Sequence, residues 1–162
     1  MRKYHLLIAG LVVALDRVTK RLIARDIPLH ETKKIVGGFF YLTHAENTGA
    51  AFSLFADSPS HWKIAMLVMF SVVALVVVSS LLWRASHTMT STGIGLALIL
   101  GGALGNLWDR LLSGRVVDFL LFYIGSYPWP AFNVADSAIV CGAGLLVFEI
   151  LFVKTPEAQK SV

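Results

Sequence analysis

The sequence predicts a mainly helical membrane protein, with four transmembrane helices, a small β-sheet at the membrane surface and a short helix outside the membrane. Two observations carry this prediction. Apolar residues make up 56% of the 162 residues, and the mean hydropathy is +0.71, whereas soluble domains are about 45–50% apolar. The apolar residues are also grouped in long runs, which approach the roughly 20 residues that a helix needs to cross a bilayer. A chain of this length is expected to form a single domain, residues 1–162.

Four segments are predicted to cross the membrane. The second is the clearest, because Trp62 and Trp83 mark its two ends, as in the aromatic belts of membrane proteins. The third is uncharged until Asp109, and the fourth ends before Lys154. Four crossings place both termini on the same side of the membrane. The predicted spans are residues 4–24, 62–83, 92–112 and 136–153.

The first span is less regular than the others. Its purely apolar part, Leu6–Leu15, has only ten residues, so the helix must continue through charged residues to about residue 24. A cleavable signal peptide is an alternative, because Arg2 and Lys3 precede this short apolar run. No small-x-small cleavage motif closes the run, and charges follow it directly. We therefore favour a spanning helix.

The two long loops, residues 25–61 and 113–135, lie on the same side of the membrane if all four segments cross it. Within the first loop, residues 34–42 have the pattern of a strand, a glycine turn and a second strand. Asn47 is expected to cap a short helix that begins at residues 47–52, because asparagine is favoured at helix N-termini. The loop therefore predicts a small sheet and a short helix at the membrane surface.

Asp16 and Lys20 are charged residues inside the first predicted span. Their i,i+4 spacing with the acid first is the favourable order for an ion pair on a helix. Two roles are compatible with this pair: a neutralised pair that fixes helix packing, or a direct contact with substrate.

A ridge of small residues runs along one face of the third predicted span and ends in a polar cluster. Small residues at four-residue spacing allow helices to approach closely in lipid, so packing is the expected role of Gly93, Ala97, Gly101 and Gly105. The next positions on this helix carry polar side chains, and we expect these to belong to a functional site: Asn106, Asp109 and Arg110.

Asp118 and Asp136 are the most informative residues, because each lies at the edge of a very apolar segment. The chain has ten acidic residues, and a carboxylate inside a bilayer costs about 2.5–3.5 kcal/mol on insertion scales. Both aspartates are expected on the membrane face that carries the polar cluster. Two close carboxylates do not both ionise easily, so the pair can share one proton. The ionised member can take a proton from water while the protonated one donates a proton. This is the chemistry of an aspartic protease.

Composition excludes several other classes. The net charge is +4, but the chain has no basic run or aromatic-interleaved patch that would indicate nucleic-acid binding. Cys141 is the only cysteine, so a disulfide framework is excluded. A zinc protease is not expected, because the chain has no HExxH motif and its histidines are widely separated in sequence.

Two alternatives have a specific basis. Ser60–Lys63 matches the Ser-x-x-Lys pattern of serine/lysine peptidases, although this short pattern arises easily by chance. The non-enzymatic alternative is a small transporter whose acids Asp16, Asp109 and Asp136 relay protons or bind a cation. A transporter predicts acids spread over the depth of the bilayer, whereas the dyad predicts acids gathered at one face.

Five short blocks of this sequence closely resemble those of the lipoprotein signal peptidases (signal peptidase II), in the order of that family. One difference is Arg17, where we expect glutamine after the first aspartate. This difference alters the surroundings of Asp16 and not the presumed dyad. The blocks are Asp16-x-x-Thr19-Lys20, Asn47-x-Gly49-Ala50-Ala51-Phe52, Gly101-Gly102-Ala103-Leu104-Gly105-Asn106-x-x-Asp109-Arg110, Gly114-x-Val116-x-Asp118-Phe119 and Phe132-Asn133-x-Ala135-Asp136-Ser137.

The resemblance implies an intramembrane aspartic endopeptidase that acts on prolipoproteins. Its substrates would carry a diacylglyceryl group on the lipobox cysteine, and it would cut just before that cysteine. Asp118 and Asp136 would be the catalytic dyad that activates water, with no metal and no organic cofactor. The residues implied to bind the substrate or support the site are Asp16, Lys20, Asn47, Gly49, Asn106, Asp109, Arg110, Asn133 and Ala135.

The charge distribution and the family resemblance indicate opposite orientations in the membrane. If the termini are cytoplasmic, five of the basic residues lie on cytoplasmic flanks and the other nine lie outside or within the spans, so a simple positive-inside count favours the opposite orientation. The resemblance implies a bacterial inner-membrane enzyme with cytoplasmic termini and an active site toward the periplasm. It also implies contact with membrane lipid, and we expect a monomer that binds no nucleic acid.

Overall fold

The computed structural model describes residues 2–49, 60–85 and 90–152. This part of the chain forms four long helices and one four-stranded sheet. The elements in chain order are α1 Arg2–Asp26, β1 Thr32–Val36, β2 Phe40–Asn47, α2 Ser60–Ala85, α3 Ser91–Ser113, β3 Val116–Ile124, β4 Tyr127–Pro128 and α4 Val134–Phe152. The strands come in two consecutive pairs, one between α1 and α2 and one between α3 and α4.

Among the described residues, three helices have the length and composition of membrane spans. They are Ile64–Ala85 within α2, all of α3 and all of α4. Helix α2 is strongly apolar and most of its apolar side chains are exposed, with Val78 and Leu82 buried against α3, as expected of a helix that faces lipid on most of its surface. Helix α1 has 25 residues but carries charges in its interior. The four predicted segments coincide with these four helices to within two residues at each end.

The small-residue ridge of α3 packs against α1, as the spacing predicts. A Cβ added at Gly101 would lie 2.7 Å from the Ala9 carbonyl oxygen, and one added at Gly105 would lie 2.7 Å from Asp16 Oδ2. Because these positions carry no side chain, the backbone of α3 can approach the backbone and side chains of α1 this closely. The glycines thus bring Asp16 against α3 next to Asn106.

A second small-residue contact joins α3 to α4, and the sequence analysis did not single it out. A Cβ at Gly95 would lie 2.8 Å from the Gly142 carbonyl oxygen, and Gly102 is in still closer contact with the Ala135 carbonyl oxygen. Helix α3 is therefore the centre of the bundle, in contact with each of the other three helices. Its C-terminal end, which carries the polar cluster, lies beside the start of α4.

The sheet is antiparallel, with its strands in the order β1-β2-β3-β4. The predicted strand–turn–strand is confirmed as β1 and β2. The sheet is anchored on the end of α1 by a small apolar cluster of Ile23, Ile27 and Phe119, and Nδ1 of His44 lies 2.8 Å from the Ile27 carbonyl oxygen. This anchor holds β3 over the ends of the helices.

Asn47 does not cap a helix: it is the last residue of β2, where it pairs with Val116. The backbone of Asn47 takes part in the pairing of β2 with β3. Its side-chain Oδ1 accepts a hydrogen bond of 2.8 Å from the Gly49 N–H. The remainder of the predicted short helix, residues 50–52, lies outside the described residues.

Candidate active site

Asp118 and Asp136 are joined through one residue, Asn133. Asp118 is the third residue of β3, and Asp136 is the third residue of α4. Asn133 Nδ2 donates to Asp118 Oδ1 at 2.7 Å, and the Asn133 backbone N–H donates to Asp136 Oδ2 at 3.2 Å. In return, the Asp136 N–H donates to Asn133 Oδ1 at 2.9 Å. The two aspartates therefore lie side by side, as the sequence interpretation requires.

The start of α4 differs from the sequence prediction by two residues. Asn133 precedes the first helical residue, Val134, and its reciprocal bonds with Asp136 have the pattern of a capping box. Asp136 is therefore the third residue of the helix and does not open it. The N-terminal end of a helix favours a negative group, so the first turn of α4 provides a suitable environment for this carboxylate.

Two further asparagines hold the remaining carboxylate oxygens. Asn47 Nδ2 donates to Asp118 Oδ2 at 3.0 Å, and Asn106 Nδ2 donates to Asp136 Oδ1 at 2.8 Å. Each of the four carboxylate oxygens thus accepts a bond from an asparagine. All of these donors are neutral, so they fix the geometry of the carboxylates without supplying a positive charge.

Asp118 is electrostatically unusual. Only 5% of its surface is exposed. Burial, followed by the neighbouring charge of Asp136, raises the pKa of Asp118 from 3.8 to about 6, against the opposing effects of the bonds from Asn47 and Asn133 and the charge of Lys20. Asp118 therefore takes up a proton at pH values where an ordinary aspartate is ionised.

A layer of charged residues lies directly behind the asparagines. Lys20 Nζ lies 2.7 Å from Asp16 Oδ2, 3.0 Å from Asn106 Oδ1 and 2.7 Å from Asp109 Oδ2. Asp16 Oδ1 accepts a bond of 3.0 Å from the Ala135 N–H, which ties α1 to the first turn of α4. Asp16 and Lys20 are 0% and 3% exposed. Their burial favours the packing role over a direct contact with substrate.

An open cleft of about 1080 Å³ lies in front of the two aspartates. One part of its wall is polar and includes Asn47, Asn106 and Arg110 with the two carboxylates. Arg110 donates a long bond of 3.4 Å to the Asn106 carbonyl oxygen, and within the described residues its Nε is buried without a partner. The other part is largely apolar and is formed by Tyr127, Trp129, Pro130, Ala131, Phe132, Ile139 and Val140.

The structure brings every predicted site residue into this region, in two groups. The residues that line the cleft are Asn47, Gly49, Asn106, Arg110, Asp118 and Asp136. Those buried behind it are Asp16, Lys20, Asp109, Asn133 and Ala135. Asn133 belongs to the second group, where it supports the site by bonding to both aspartates. The side chains of Ser60 and Lys63 lie outside the described part of the chain.

Sequence reasoning missed two features of the site. The first is the aromatic part of the cleft wall, Tyr127 and Trp129. Their position in the sequence, between the blocks that contain Asp118 and Asp136, was the signal that could have indicated it. The second is Arg17, which forms an ion pair with Asp109. In the sequence, Arg17 stands out only as a difference from the family pattern.

Helices of spanning length beside a carboxylate-lined cleft indicate a membrane enzyme. Two solved structures described as bacterial membrane enzymes are similar to this chain. The first has a TM-score of 0.85 and 28% sequence identity, and the alignment covers 99% of this chain and 94% of the chain in that structure. The second has a TM-score of 0.82 at 30% identity, with coverages of 94% and 95%.

The chain belongs to the signal peptidase II family, whose model, described as signal peptidase (SPase) II, matches residues 8–152. A lipoprotein signal peptidase of Desulforapulum autotrophicum is 47% identical over 155 residues, 93% of each chain. One of Solibacter usitatus is 42% identical over 154 residues, 95% of this chain and 94% of its own. The resemblance seen in the sequence is thereby confirmed. The family is one of membrane proteases that process lipoproteins.

Proposed function

We propose that this protein is an aspartic endopeptidase that removes the signal peptide from diacylglyceryl-modified prolipoproteins, cutting just before the modified cysteine. The observation that carries the proposal is the pair of Asp118 and Asp136, bridged by Asn133 at the base of an open cleft. Family membership supports the substrate class, and the paired carboxylates support the reaction type.

In the proposed mechanism, the two carboxyl groups share one proton. The ionised group takes a proton from a water molecule, whose oxygen attacks the scissile carbonyl carbon, while the other donates a proton to the carbonyl oxygen. Asp118 is suited to carry the shared proton, because burial and the charge of Asp136 raise its pKa to about 6. In the second step, the newly protonated carboxyl group gives its proton to the leaving amine as the C–N bond breaks, and the other, now ionised, takes a proton from a hydroxyl of the tetrahedral intermediate. This leaves a carboxylic acid product and restores the shared proton.

The polar wall of the cleft is suited to holding an extended peptide backbone. Arg110 lines the cleft and has an unpartnered buried Nε within the described residues, so its guanidinium is available to substrate carbonyl oxygens. Asn47 and Asn106 use one amide N–H each on the carboxylates and have a second N–H. These three side chains would hold the substrate backbone beside the dyad.

The apolar wall would receive the lipid-modified end of the substrate. Ile139 and Val140 belong to α4, one of the helices with the composition of a membrane span. Tyr127 and Trp129 lie beside them on the cleft, and such amphipathic rings are enriched at membrane–water interfaces. Acyl chains in the bilayer could therefore enter the cleft along α4 without crossing water.

We further infer that α1 also crosses the membrane, so that a single domain of four spans has cytoplasmic termini and an active site toward the periplasm. Its 25 residues correspond to about 37 Å of helix at 1.5 Å per residue, more than the roughly 30 Å hydrocarbon core. Of its interior charges, Asp16 pairs with Lys20 and Arg17 with Asp109, while Arg21 is exposed near the end of the helix. We propose a bacterial inner membrane as the location of the protein and a monomer surrounded by lipid as its state, in keeping with its family membership.

The test is cleavage of a purified diacylglyceryl-modified prolipoprotein by the detergent-solubilised protein, with the products identified by mass spectrometry. An unlipidated substrate is run in parallel. The variant is Asp136→Asn, and its matched control is Asp26→Asn, which removes an exposed aspartate at the end of α1. We expect the wild type and the control to cut the lipidated substrate only, before the modified cysteine. Near-normal turnover by Asp136→Asn, or cutting at another bond, would overturn the proposal.

A further inference from the structure

Arg17 belongs to a buried set of charges that balance one another. Asp16, Lys20 and Asp109 are at most 8% exposed at their side chains, and the side chain of Arg17 is 24% exposed. The set contains two carboxylates and two cations, so it is neutral. Without Arg17, one buried negative charge would remain uncompensated, and uncompensated buried charge is strongly unfavourable.

Arg17 and Lys20 share Asp109 between them. Arg17 pairs with Asp109 Oδ1, and Lys20 lies 2.7 Å from Asp109 Oδ2. The guanidinium also lies over the Trp108 ring, 5.9 Å from its centre, which holds it at this position. Lys20 Nζ donates to Asp16 Oδ2 and to Asn106 Oδ1, and it also forms an ion pair with the Asp109 carboxylate.

The lysine in turn sets the orientation of the Asn106 amide. Asn106 Oδ1 accepts from Lys20 at 3.0 Å and from Asn133 Nδ2 at 3.3 Å. With its oxygen held on that side, its Nδ2 must face Asp136, to which it donates at 2.8 Å. Contacts thus run without a break from Arg17 through Asp109, Lys20 and Asn106 to Asp136.

The geometry points to Arg17 as a positioning residue for the dyad, an inference that rests on the proposed aspartic mechanism. By neutralising Asp109, Arg17 limits the attraction of Lys20 toward that carboxylate and leaves Lys20 on Asn106. When Arg17 loses its charge, Lys20 alone must balance both Asp16 and Asp109, and its bond to Asn106 Oδ1 weakens. The Asn106 amide is then free to rotate, and Asp136 loses its bond from Nδ2. Arg17 touches neither the cleft nor the reacting atoms.

The first test compares three variants in the lipoprotein cleavage assay. Arg17→Gln should lower kcat about tenfold, the size expected when a connected polar network loses one member. The KM should change little, because the cleft itself is unaltered. Arg17→Lys keeps the charge and should retain most of the kcat. The matched control is Arg21→Gln, which removes an exposed charge one turn along the same helix and should behave as the wild type.

The second test restores the charge balance in another way. Asp109→Asn combined with Arg17→Gln leaves Asp16 and Lys20 as a neutral pair, so Lys20 can return to Asn106. The double variant should recover kcat relative to Arg17→Gln alone. A purely structural role for Arg17 predicts no recovery, since the double variant has lost the ion pair completely. Absence of recovery, or a wild-type kcat in Arg17→Gln, would overturn the inference.

A third readout does not depend on turnover. The side-chain amide signal of Asn106, assigned by its loss in Asn106→Ala, can be followed by NMR in the folded protein. It should shift in Arg17→Gln and return toward its wild-type position in the double variant, whereas an unshifted signal would contradict the positioning role. If the wild type failed to cut the lipidated substrate, the proposed function would fail, and this readout would still test the network.

Discussion

The site has two adjacent layers of aspartates, a front layer at the cleft (Asp118 and Asp136) and a rear layer behind it (Asp16 and Asp109), and the two layers have different kinds of partner. Asp118 and Asp136 accept hydrogen bonds from neutral asparagine groups. Asp16 and Asp109 are paired with the cations Lys20 and Arg17. A cation stabilises the ionised carboxylate, whereas amide donors fix its position and leave more freedom to gain a proton. The front layer is thus suited to proton transfer and the rear layer to holding the helices together.

The largest expected effect is the loss of proton transfer in the front layer. Asp118→Asn and Asp136→Asn should each lower kcat by about 10²- to 10⁴-fold, because a positioned acid or base contributes on that order. Both variants should remain folded, since asparagine preserves the shape of the side chain. Cleavage kinetics with circular dichroism on the same preparations check this, and near-normal turnover by either variant would remove the dyad.

In the rear layer, we expect a substitution to lower the stability of the protein more than its activity. Lys20→Ala leaves Asp16 and Asp109 with one cation between them, and breaking a buried ion pair costs about 3–5 kcal/mol. We expect a lower Tm in detergent with partial activity remaining in the folded fraction. Complete loss of activity with an unchanged Tm would instead make Lys20 a contact with substrate.

A smaller effect concerns the pH dependence of stability. Folding raises the pKa of Asp118 from 3.8 to about 6, so between these pH values the folded protein holds a proton that the unfolded chain has lost. The stabilising contribution of Asp118 is therefore complete below about pH 4 and is lost as the pH rises through 6. Relative to Asp118→Asn, the wild type should lose up to about 3 kcal/mol over this interval. Urea unfolding of both proteins at a series of pH values measures this difference, and parallel curves would contradict it.

The smallest effect is expected outside both layers. Ser60→Ala should leave kcat and KM unchanged, because the proposed chemistry uses no serine nucleophile. The measurement is the same cleavage assay, with Asp136→Asn as the inactive reference. A strong loss of activity would revive the serine/lysine alternative that the Ser60–Lys63 pattern raised.

The sequence predicts the helices and the first strand pair well, because apolar runs and alternation are local signals. The layout of the site is less accessible. Asp118 and Asp136 were paired through their common membrane face and a family resemblance, and no local pattern shows that Asn133 bonds to both. The ion pair of Arg17 with Asp109 joins residues 92 positions apart. Such a contact depends on how the glycine ridges of α3 seat the neighbouring helices, which only the folded chain specifies.

The most direct test of the contrast between the two layers is the pKa of Asp118, measured by carboxyl ¹³C NMR in the wild type and in Asp136→Asn. We expect a pKa of about 6 for Asp118 in the wild type and a lower pKa in the variant, because the negative neighbour has become neutral. An ordinary aspartate pKa in the wild type, or the same raised value in both proteins, would contradict the claim that the two carboxylates act as a coupled pair.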